Sequence, residues 1–422
     1  MRKIAIIGLG YVGLPLSLEF SKKNFVIGYD NNKKRISSLQ KRTDSNEDLQ
    51  KNEKEILKKS KNLYFTDNHK KLSDCEVFII TVPTPVKKNK NPDLTYLINA
   101  TKIVSKYLKK KDLVIYESTV FPGATEEICK PILERGSKLK LNNDFYIGYS
   151  PERLSPGDLK HGLRKIIKIT SGSNNKAAKI VDNLYKSIIP KGTFLTKSIK
   201  VAEAAKVIEN IQRDINIAFI NELVINFSKL GIDTNEVLRA ASTKWNFAKF
   251  QPGLVGGHCI AVDPYYLFYK SKKAGYINKL IPLARRINDN MSTFVVKKFI
   301  SILKKNFSNK KLKVLIMGLA YKENSSDTRN SPIFYIYNQL KTKKAIKTLH
   351  IYDPLVKKTN LENKINKIET LKMKYDGIIL AVPHKKIIDQ YERFNKKFTH
   401  KKTKILDVKY MIKKIDNRVY HL

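Results

Sequence analysis

The sequence predicts an α/β protein with two sheet-containing domains on either side of a helical middle. Three observations predict it: short apolar runs that alternate with helical patterns from residue 3, a helical pattern of about eight turns over 201–231, and a second series of apolar runs from residue 312. Continuous apolar runs between polar turns are typical of parallel strands buried on both faces. We therefore expect two Rossmann-like, doubly wound domains joined by a central helical domain with a long connecting helix.

A glycine-rich turn follows the first apolar run. KIAIIG at 3–8 leads into Gly8-x-Gly10-x-x-Gly13 and a helical pattern, and the next run, FVIGY at 25–29, ends in Asp30. Strand, turn, helix, strand and acid in this order form the dinucleotide-binding fingerprint, in which the glycines admit the pyrophosphate and the acid binds the ribose hydroxyls. A carboxylate there repels a 2′-phosphate and favours NAD over NADP, a preference weakened by three nearby basic residues, Lys33, Lys34 and Arg35.

Three further apolar runs precede polar turn segments. VFIITV at 77–82 precedes PTP, LVIY at 113–116 precedes ESTVFPG, and FYIGY at 145–149 precedes SPERLSPG. Ligands of open α/β sheets gather at the carboxyl ends of the strands. The candidate ligand-contacting residues in these turns are Thr84, Ser118, Thr119 and Glu152. For each of them alone, a capping or turn role is equally consistent with the sequence.

The helical pattern over 201–231 is longer than a surface helix of a small domain needs, and it ends at Gly231 as a C-cap. We expect it to link two domains and to carry a subunit interface. Lys206 and Asn210 lie four residues apart on it and therefore project from one face. Two solvated polar residues would show the same spacing, so their role stays open at this point. A second helical pattern covers about 280–305.

A cysteine follows a double glycine in GLVGGHCIAVDPYY at 253–266. Glycine lets the backbone take positive φ and approach other groups closely, so a side chain just beyond it can be presented into a cleft. The cysteine is Cys259, and Asp263 follows it by four positions. A turn with a buried cysteine is the alternative, because free cysteine is among the most buried residue types.

The chain then repeats an α/β pattern. LKVLIM at 312–317 runs into GLAYKENSSDTRNSP, a run at 348–352 ends in Asp353, and GIILAV at 377–382 leads into a proline as VFIITV does near the start. This second pattern lacks the G-x-G-x-x-G turn. We therefore expect it to bind a nucleotide-like ligand different from a second NAD.

Composition excludes several classes of protein. Among 422 residues, Lys and Arg total 82 against 38 acids, for a formal charge of +44, but only 13 of the 82 are Arg, without an Arg-rich arm or an aromatic-interleaved patch. A lysine-biased composition or an anionic small substrate explains this charge, and we expect no specific nucleic-acid partner. Three cysteines without paired spacing argue against disulfides and against a metal site. The same cysteine usage indicates a reducing compartment, so we expect a cytoplasmic protein. With no apolar run of membrane-spanning length, we expect no membrane insertion.

These segments, in this order, resemble the UDP-glucose/GDP-mannose dehydrogenase family over essentially the whole chain: GLGYVGLP, PTP, ESTVFPG, SPER, the helix with Lys206 and Asn210, GGHCIAVDP and GLAYKENSSDTRNSP. Two segments, residues 202–223 and TKWNF at 243–247, look most like those of the UDP-N-acetylhexosamine 6-dehydrogenases of bacterial surface-polysaccharide pathways. The resemblance implies oxidation of the sugar C6 alcohol to a carboxylate with two NAD and one water, and a homodimer through the central helices. It also implies an NAD-binding domain at 1–197, a central helical domain at 198–300 and a UDP-sugar-binding domain at 301–422.

This chemistry gives the cysteine a role. One hydride transfer turns an alcohol into an aldehyde; reaching the acid requires a second hydride-donating carbon, which a thiolate creates by adding to the aldehyde. Cys259 matches the family's nucleophile. The resemblance further implies that Asp263 and Thr119 position a water that acts as base, that Glu152 directs the hydrolytic water, and that Lys206 with Asn210 holds the oxyanion at C6. Whether His258 lowers the pKa of the neighbouring thiol stays open.

The resemblance also implies the binding residues. Those expected to contact NAD are Gly8, Gly10, Tyr11, Val12, Gly13, Asp30, Arg35, Thr84, Thr119 and Arg329. Those expected to hold the UDP-sugar are Glu152, Arg153, Lys206, Asn210, Phe250, Gly253, Gly256, Gly257 and Lys322. Two departures weaken UDP-glucose as the substrate: Pro156 replaces an acid typical of the UDP-glucose enzymes, and Val262 replaces a lysine that many of them carry after the cysteine. UDP-glucose and GDP-mannose 6-dehydrogenases remain the alternatives. The rival classes are a two-electron dehydrogenase, which would release an aldehyde and consume one NAD, and a non-enzymatic NAD-sensing or nucleic-acid-binding protein.

Overall fold

The computed structural model describes residues 2–45, 49–153, 162–308, 311–357, 359–361, 363–371, 373–412 and 416–422. Pro156, one of the two departures noted above, lies outside these residues. The chain packs into two compact units. The first comprises Met1–Glu209 with Tyr265–Ile277, and the second comprises Asn210–Pro264 with Asn278–Leu422.

The first unit contains a predominantly parallel sheet. Its strands and helices are β1 Lys3–Ile7, α1 Gly13–Ser21, β2 Phe25–Tyr29, α2 Lys33–Gln40, α3 Lys51–Lys59, β3 Leu63–Thr66, β4 Val77–Ile80, α4 Thr95–Ser105, β5 Leu113–Tyr116, α5 Lys130–Ser137, β6 Tyr146–Tyr149, β7 Lys168–Gly172, α6 Asn175–Lys186 and β8 Thr193–Leu195. Within the described residues the strand order is β3-β2-β1-β4-β5-β6-β7-β8, and β7 runs antiparallel to β6. The order reverses between β1 and β4, the point where doubly wound sheets bind ligands.

Helices follow the first sheet: α7 Ile199–Leu230, α8 Thr234–Ala241, α9 Asp263–Lys273 and α10 Leu280–Asn306. The 32 residues of α7 include neither glycine nor proline, which explains its uninterrupted length. It ends at Gly231, whose φ of +72° suits glycine. The two long predicted helices are thus confirmed. The three-domain division at 197/198 and 300/301 stays a prediction.

The second unit contains a parallel sheet of its own. Its elements are β9 Leu312–Met317, α11 Pro332–Lys341, β10 Ile346–Tyr352, β11 Lys364–Ile365, β12 Gly377–Leu380, α12 Lys385–Phe398, β13 Lys404–Asp407 and β14 Val419–His421. The strands described there pair in the order β11-β10-β9-β12-β13-β14, all parallel. The predicted fold class of two Rossmann-like domains with a helical region between them in sequence is confirmed.

Two predicted strands end earlier than expected, and for the same reason. The runs at 77–82 and 377–382 stop pairing at Ile80 and Leu380. Each lies beside a first strand that is followed by a positive-φ glycine, Gly8 with φ +95° and Gly318 with φ +104°. The neighbouring backbone turns away at the glycine, so the ladder has no partner beyond it.

Candidate active site

The three glycines of the first turn have distinct surroundings. A Cβ on Gly8 would lie 3.3 Å from the Thr81 carbonyl, and one on Gly13 would lie only 1.9 Å from the Gly8 carbonyl oxygen. Both positions therefore require glycine for packing. Gly10 has no heavy atom within 4 Å of the same position, which leaves open space beside the backbone. The turn thus fits a dinucleotide, whose pyrophosphate needs a close approach at the middle glycine.

Asp30 lies directly after β2 and is partly exposed. Its Oδ2 accepts the Leu9 backbone N–H at 2.8 Å, and its Oδ1 accepts the Asn32 N–H at 2.9 Å. Because a carboxylate offers about four acceptor sites, Asp30 keeps capacity for ribose hydroxyls. These residues therefore fit NAD.

Arg35, an expected cofactor contact, is buried in the single chain. Its Nε donates to the Leu9 carbonyl at 3.0 Å, and its guanidinium pairs with Asp44 at 2.5 Å. These contacts give Arg35 a role in supporting the glycine turn. Tyr11 and Val12 lie in the turn itself, both partly buried.

The polar turns after β4 and β5 are joined by hydrogen bonds at the carboxyl ends of these strands. The Thr84 hydroxyl donates to the Thr119 carbonyl at 2.7 Å, and the Ser118 hydroxyl donates to the Val82 carbonyl at 2.6 Å. The Tyr266 hydroxyl in α9 donates to the Thr84 carbonyl at 2.6 Å. The backbone that carries Thr119 is therefore fixed from two directions.

Glu152 and Lys206 meet in the first unit. The Lys206 Nζ lies 3.9 Å from Glu152 Oε2, and both side chains are buried. Arg153 pairs with Glu209 at 2.7 Å, one helical turn further along α7. The SPER segment therefore lies against the first turns of α7, and an acid and an ammonium predicted to act on the substrate lie side by side.

A buried charged cluster, which no sequence pattern indicated, lies against this segment. Lys168 in β7 donates to Glu117 Oε2 at 2.6 Å and to the Pro151 carbonyl at 2.8 Å, and the Tyr185 hydroxyl donates to the same carboxylate. The ammonium thus holds the residue immediately before Glu152. A lysine inside the apolar run at 166–170 was the available signal, but nothing in the sequence names its partner.

No sequence pattern indicated a role for Glu203 either. It is fully buried on α7, and its carboxylate accepts the backbone N–H groups of Gly123 and Thr125. Burial raises the pKa of Glu203 to about 7, against the lowering effect of these hydrogen bonds. Glu203 therefore connects the segment after Thr119 to the helix that carries Lys206.

In the second unit, Cys259 lies just before α9. Asp263 at the start of that helix donates its backbone N–H to the Cys259 carbonyl at 2.8 Å, and its carboxylate accepts from Asn210 Nδ2 at 2.6 Å. Cys259 is partly exposed, whereas Cys75 and Cys129 are buried and burial raises the pKa of each to about 12. Cys259 is therefore the cysteine suited to nucleophilic chemistry.

The glycine loop before the cysteine is closely packed. Gly253 has φ +145°, and a Cβ on Gly256 would lie 2.7 Å from the Asn330 carbonyl oxygen. A Cβ on Gly257, whose φ is +84°, would lie 2.5 Å from the Tyr321 ring. The Asn330 amide donates to the Gly257 carbonyl at 3.1 Å. The double glycine thus serves a close approach to the segment at 321–330, which also carries Lys322.

The remaining predicted residues lie in the same unit. Phe250 and Lys322 are partly exposed. The exposed Arg329 side chain pairs with Asp327 at 2.6 Å, and His258 Nδ1 lies 3.7 Å from the same carboxylate. Within the described residues, then, the structure brings together Thr84 with Thr119, Glu152 with Lys206, and Asn210 with Asp263 next to Cys259.

Comparison with known proteins agrees with these features. The NAD binding domain of the UDP-glucose/GDP-mannose dehydrogenase family matches residues 2–189, its central domain matches 200–290, and its UDP binding domain matches 315–414. The chain belongs to this family. It is an NAD-dependent nucleotide-sugar dehydrogenase, and the predicted resemblance and cofactor are confirmed.

Several relatives are similar over nearly their full length. The UDP-N-acetyl-D-glucosamine 6-dehydrogenase of Pseudomonas aeruginosa is 48% identical over 414 residues, covering 97% of each chain. The enzyme of the same name from Salmonella typhi is 49% identical, covering 97% of this chain and 96% of its own. Among solved structures, the UDP-D-ManNAc dehydrogenase of Pyrococcus horikoshii is 32% identical with a TM-score of 0.88, covering 99% and 98% of the two chains.

In the part of the chain that the structure describes, no group of three or more His, Cys, Asp or Glu side chains is placed to hold a metal ion. None of the described helices combines the length and the apolarity needed to cross a membrane.

Proposed function

We propose that this dehydrogenase oxidises the C6 hydroxyl of a UDP-N-acetylhexosamine to the uronate through a covalent Cys259 intermediate. The observation that carries the proposal is the start of α9, where Asn210 holds the Asp263 carboxylate and the partly exposed Cys259 lies four residues earlier. The names of the relatives at 48% and 49% identity support the N-acetylated substrate. The balanced reaction consumes the alcohol, two NAD and one water and releases the carboxylate, two NADH and three protons.

In the first half of the reaction the chain must accept a proton from the C6 hydroxyl and stabilise the developing oxyanion. Bound NAD supplies the hydride acceptor. Asp263 and Thr119 position the water that takes the proton, while Lys206 and Asn210 hold the oxyanion. The Asn210 bond to Asp263 at 2.6 Å supports a shared role for the two. Lysine suits this position as a compact point charge.

In the second half, the Cys259 thiolate adds to the C6 aldehyde, and the resulting thiohemiacetal becomes a thioester when the second hydride leaves. Water then cleaves the C–S bond, returning the thiol and giving the acid. Glu152 directs this water. Its ion pair with Lys206 at 3.9 Å supports the role, since the same ammonium can follow the C6 oxygen through both halves.

The proposed binding residues follow the same division. We assign NAD contacts to Gly8, Gly10, Tyr11, Val12, Gly13, Asp30, Arg35, Thr84, Thr119 and Arg329. The Arg35 bond to the Leu9 carbonyl also supports the turn. We assign the UDP-sugar to Glu152, Arg153, Lys206, Asn210, Phe250, Gly253, Gly256, Gly257 and Lys322. The match of residues 315–414 to a UDP binding domain supports the uridine nucleotide.

The assembly and the cellular role are part of the proposal. Three apolar side chains of α7 are about half exposed in the single chain: Val201 at 50%, Ile208 at 52% and Phe219 at 54%. Partners commonly cover such side chains, which supports a homodimer through the central helices. We place the enzyme in the cytoplasm, where UDP-sugars are used for surface-polysaccharide synthesis, and we retain the division at 1–197, 198–300 and 301–422.

Substrate choice is tested by comparing kcat/KM for UDP-N-acetylglucosamine, UDP-N-acetylgalactosamine, UDP-glucose and GDP-mannose at saturating NAD. A site shaped for the 2-acetamido group leaves a void and an unpaired polar group when glucose binds, so we expect UDP-glucose to be worse by roughly 30-fold to 150-fold. The gluco epimer is slightly favoured over the galacto epimer. UDP-glucose performing as well as both N-acetylated sugars would refute the substrate, and one NADH per sugar would refute the four-electron mechanism.

A further inference from the structure

Asn221 in α7 binds the glycine loop that precedes Cys259. Its Nδ2 donates to the Gly253 carbonyl at 2.9 Å, and its Oδ1 accepts the Gly253 backbone N–H at 2.8 Å. One side chain therefore satisfies both polar groups of one loop residue. Asn221 is fully buried, so it cannot exchange these bonds for water without opening the core.

Further hydrogen bonds to buried side chains fix the orientation of the Asn221 amide. The Asn221 Nδ2 also donates to Asn288 Oδ1 at 2.8 Å, and Asn288 Nδ2 donates to the Asp214 carboxylate at 2.7 Å. Arg285 completes the network by pairing with the same carboxylate at 2.5 Å. All four side chains are buried on α7 and α10. A flipped Asn221 would face donor against donor at Gly253, so the network admits a single arrangement.

The loop depends on such anchors, because residues 250–256 form neither helix nor strand. Gly253 is buried and has φ +145°, and the space beside it is occupied by Lys409, whose Nζ donates to the Pro252 carbonyl at 2.9 Å. Buried backbone groups outside regular structure must find partners in side chains. Asn221 supplies both partners of Gly253, six residues before the nucleophile.

We infer that Asn221 is a positioning residue for Cys259, acting through the backbone of the glycine loop. The inference rests on the proposed function, in that Cys259 is the nucleophile and the loop holds the sugar. Asn221 itself does not contact the reacting atoms. Its carboxamide holds the backbone of the loop in place. The network of Asn288, Asp214 and Arg285 fixes the orientation of that carboxamide. Loss of the amide should therefore displace the thiol and the sugar-binding backbone together.

The test compares Asn221→Leu, which keeps the branching of the side chain at Cγ but makes neither hydrogen bond, with Val224→Ala. Val224 is a fully buried core residue three positions along the same helix, so its truncation lowers Tm, and its apolar side chain makes none of the hydrogen bonds to Gly253. We expect Asn221→Leu to lower kcat about 100-fold, the typical cost of a 1 Å misplacement, with the Kd for NAD unchanged. Val224→Ala should keep kcat within about threefold at a comparable loss of Tm.

A second readout is independent of the substrate. The rate of Cys259 alkylation by iodoacetamide, followed by mass spectrometry of its peptide, should change in Asn221→Leu and stay at the wild-type value in Val224→Ala. Equal losses of kcat in the two variants, or wild-type kcat and alkylation in Asn221→Leu, would overturn the inference. If Asn221→Leu does not fold, Asn221→Ser should still lower kcat about 10-fold relative to Val224→Ala, and equal kcat would be equally decisive. Wild-type enzyme giving two NADH per sugar throughout shows that such a failure belongs to this inference and not to the proposed function.

Discussion

Asp30 and Asp353 each follow the second strand of their own sheet, and each accepts the backbone N–H of the residue after a positive-φ glycine, at 2.8 Å and 2.7 Å. Their remaining bonds differ. Asp30 is partly exposed and accepts one further N–H, from Asn32. Asp353 is buried, and its two oxygens also contact the backbone N–H groups of Ala320, Leu355 and Val356 and the ring of His384.

This difference explains how one fold serves two ligands. A carboxylate has about four acceptor sites, so the partners of Asp353 fill it while Asp30 keeps room for hydroxyl donors. The glycine turns differ in the same sense. Two and five positions after the first glycine, the first unit has Gly10 and Gly13 and the second has Ala320 and Glu323. In the second unit, Asp353 therefore serves to stabilise the turn. The nucleotide of that unit must be recognised by other groups.

The largest effect should come from replacing the nucleophile, which should nearly abolish turnover without changing NAD binding. Cys259→Ser should lower steady turnover by about three orders of magnitude or more, because serine cannot form the thiohemiacetal and thioester readily. The Kd for NAD, measured by fluorescence titration, should stay the same, since the cofactor turn lies in the first unit. Cys75→Ala, which removes a buried thiol, is the matched control and should retain turnover. Near-normal production of two NADH per sugar by Cys259→Ser would contradict the mechanism.

The second prediction compares alanine substitutions of the two acids, Asp30 and Asp353. Asp353→Ala should lower the free energy of unfolding by about 3–5 kcal/mol, because it leaves His384 and several backbone N–H groups buried without their acceptor. NAD affinity should not change. Asp30→Ala should instead weaken NAD binding with a much smaller loss of stability. Urea unfolding and NAD titration of both variants provide the measurement, and the comparison fails if both variants show the same pattern.

The third prediction concerns cofactor choice. Wild-type enzyme should prefer NAD over NADP by about 2 kcal/mol, typical of hydrogen bonds to an ionised acceptor, and Asp30→Ser should narrow that gap. Lys33, Lys34 and Arg35 would then favour the 2′-phosphate. The measurement is kcat/KM for each cofactor. Asn32→Ser, which changes a neighbouring residue and keeps the carboxylate, should leave the preference in place; equal use of both cofactors by wild type would remove Asp30 from its assigned role.

The smallest effect should come from a second buried acid. Burial raises the pKa of Glu203 to about 7, whereas the donors around Asp353, His384 included, outweigh burial and lower its pKa. An acid with a raised folded-state pKa contributes stability that is complete below its unfolded pKa and is lost as pH rises through about 7. The advantage of wild type over Glu203→Gln should therefore shrink by about 1 kcal/mol between pH 6 and 8. A pH-independent difference in unfolding free energy would show that Glu203 does not titrate in this range.

Local patterns predicted most of the fold. β2, β5 and β9 begin and end at the predicted residues, because each is a short, mainly apolar run bounded by polar residues or glycine. The first turn could also be predicted, since its glycines and acid act within one strand-turn-helix unit. The ends of β4 and β12 could not, because they depend on where a neighbouring strand turns away.

Contacts between distant residues set the limit for the site. Asn221 and Gly253 lie 32 residues apart, and Lys168 and Glu117 lie 51 apart. Considered alone, each of these residues is equally consistent with an ordinary solvent-exposed or turn position. Only the folded chain identifies its partner. Arg35 shows the same limit: the resemblance implies a cofactor contact, which stays a prediction, and its pairing with Asp44 is visible only in the folded chain.

The three cysteines also determine how the protein should age in air. Cys75 and Cys129 are shielded, so peroxide should first reach the partly exposed Cys259 and convert it to the sulfenic acid. Early loss of activity during storage should therefore be reversed by a thiol reductant, while loss after prolonged exposure, at the sulfinic stage, should be permanent. Bound UDP-sugar should slow both stages by covering the thiol.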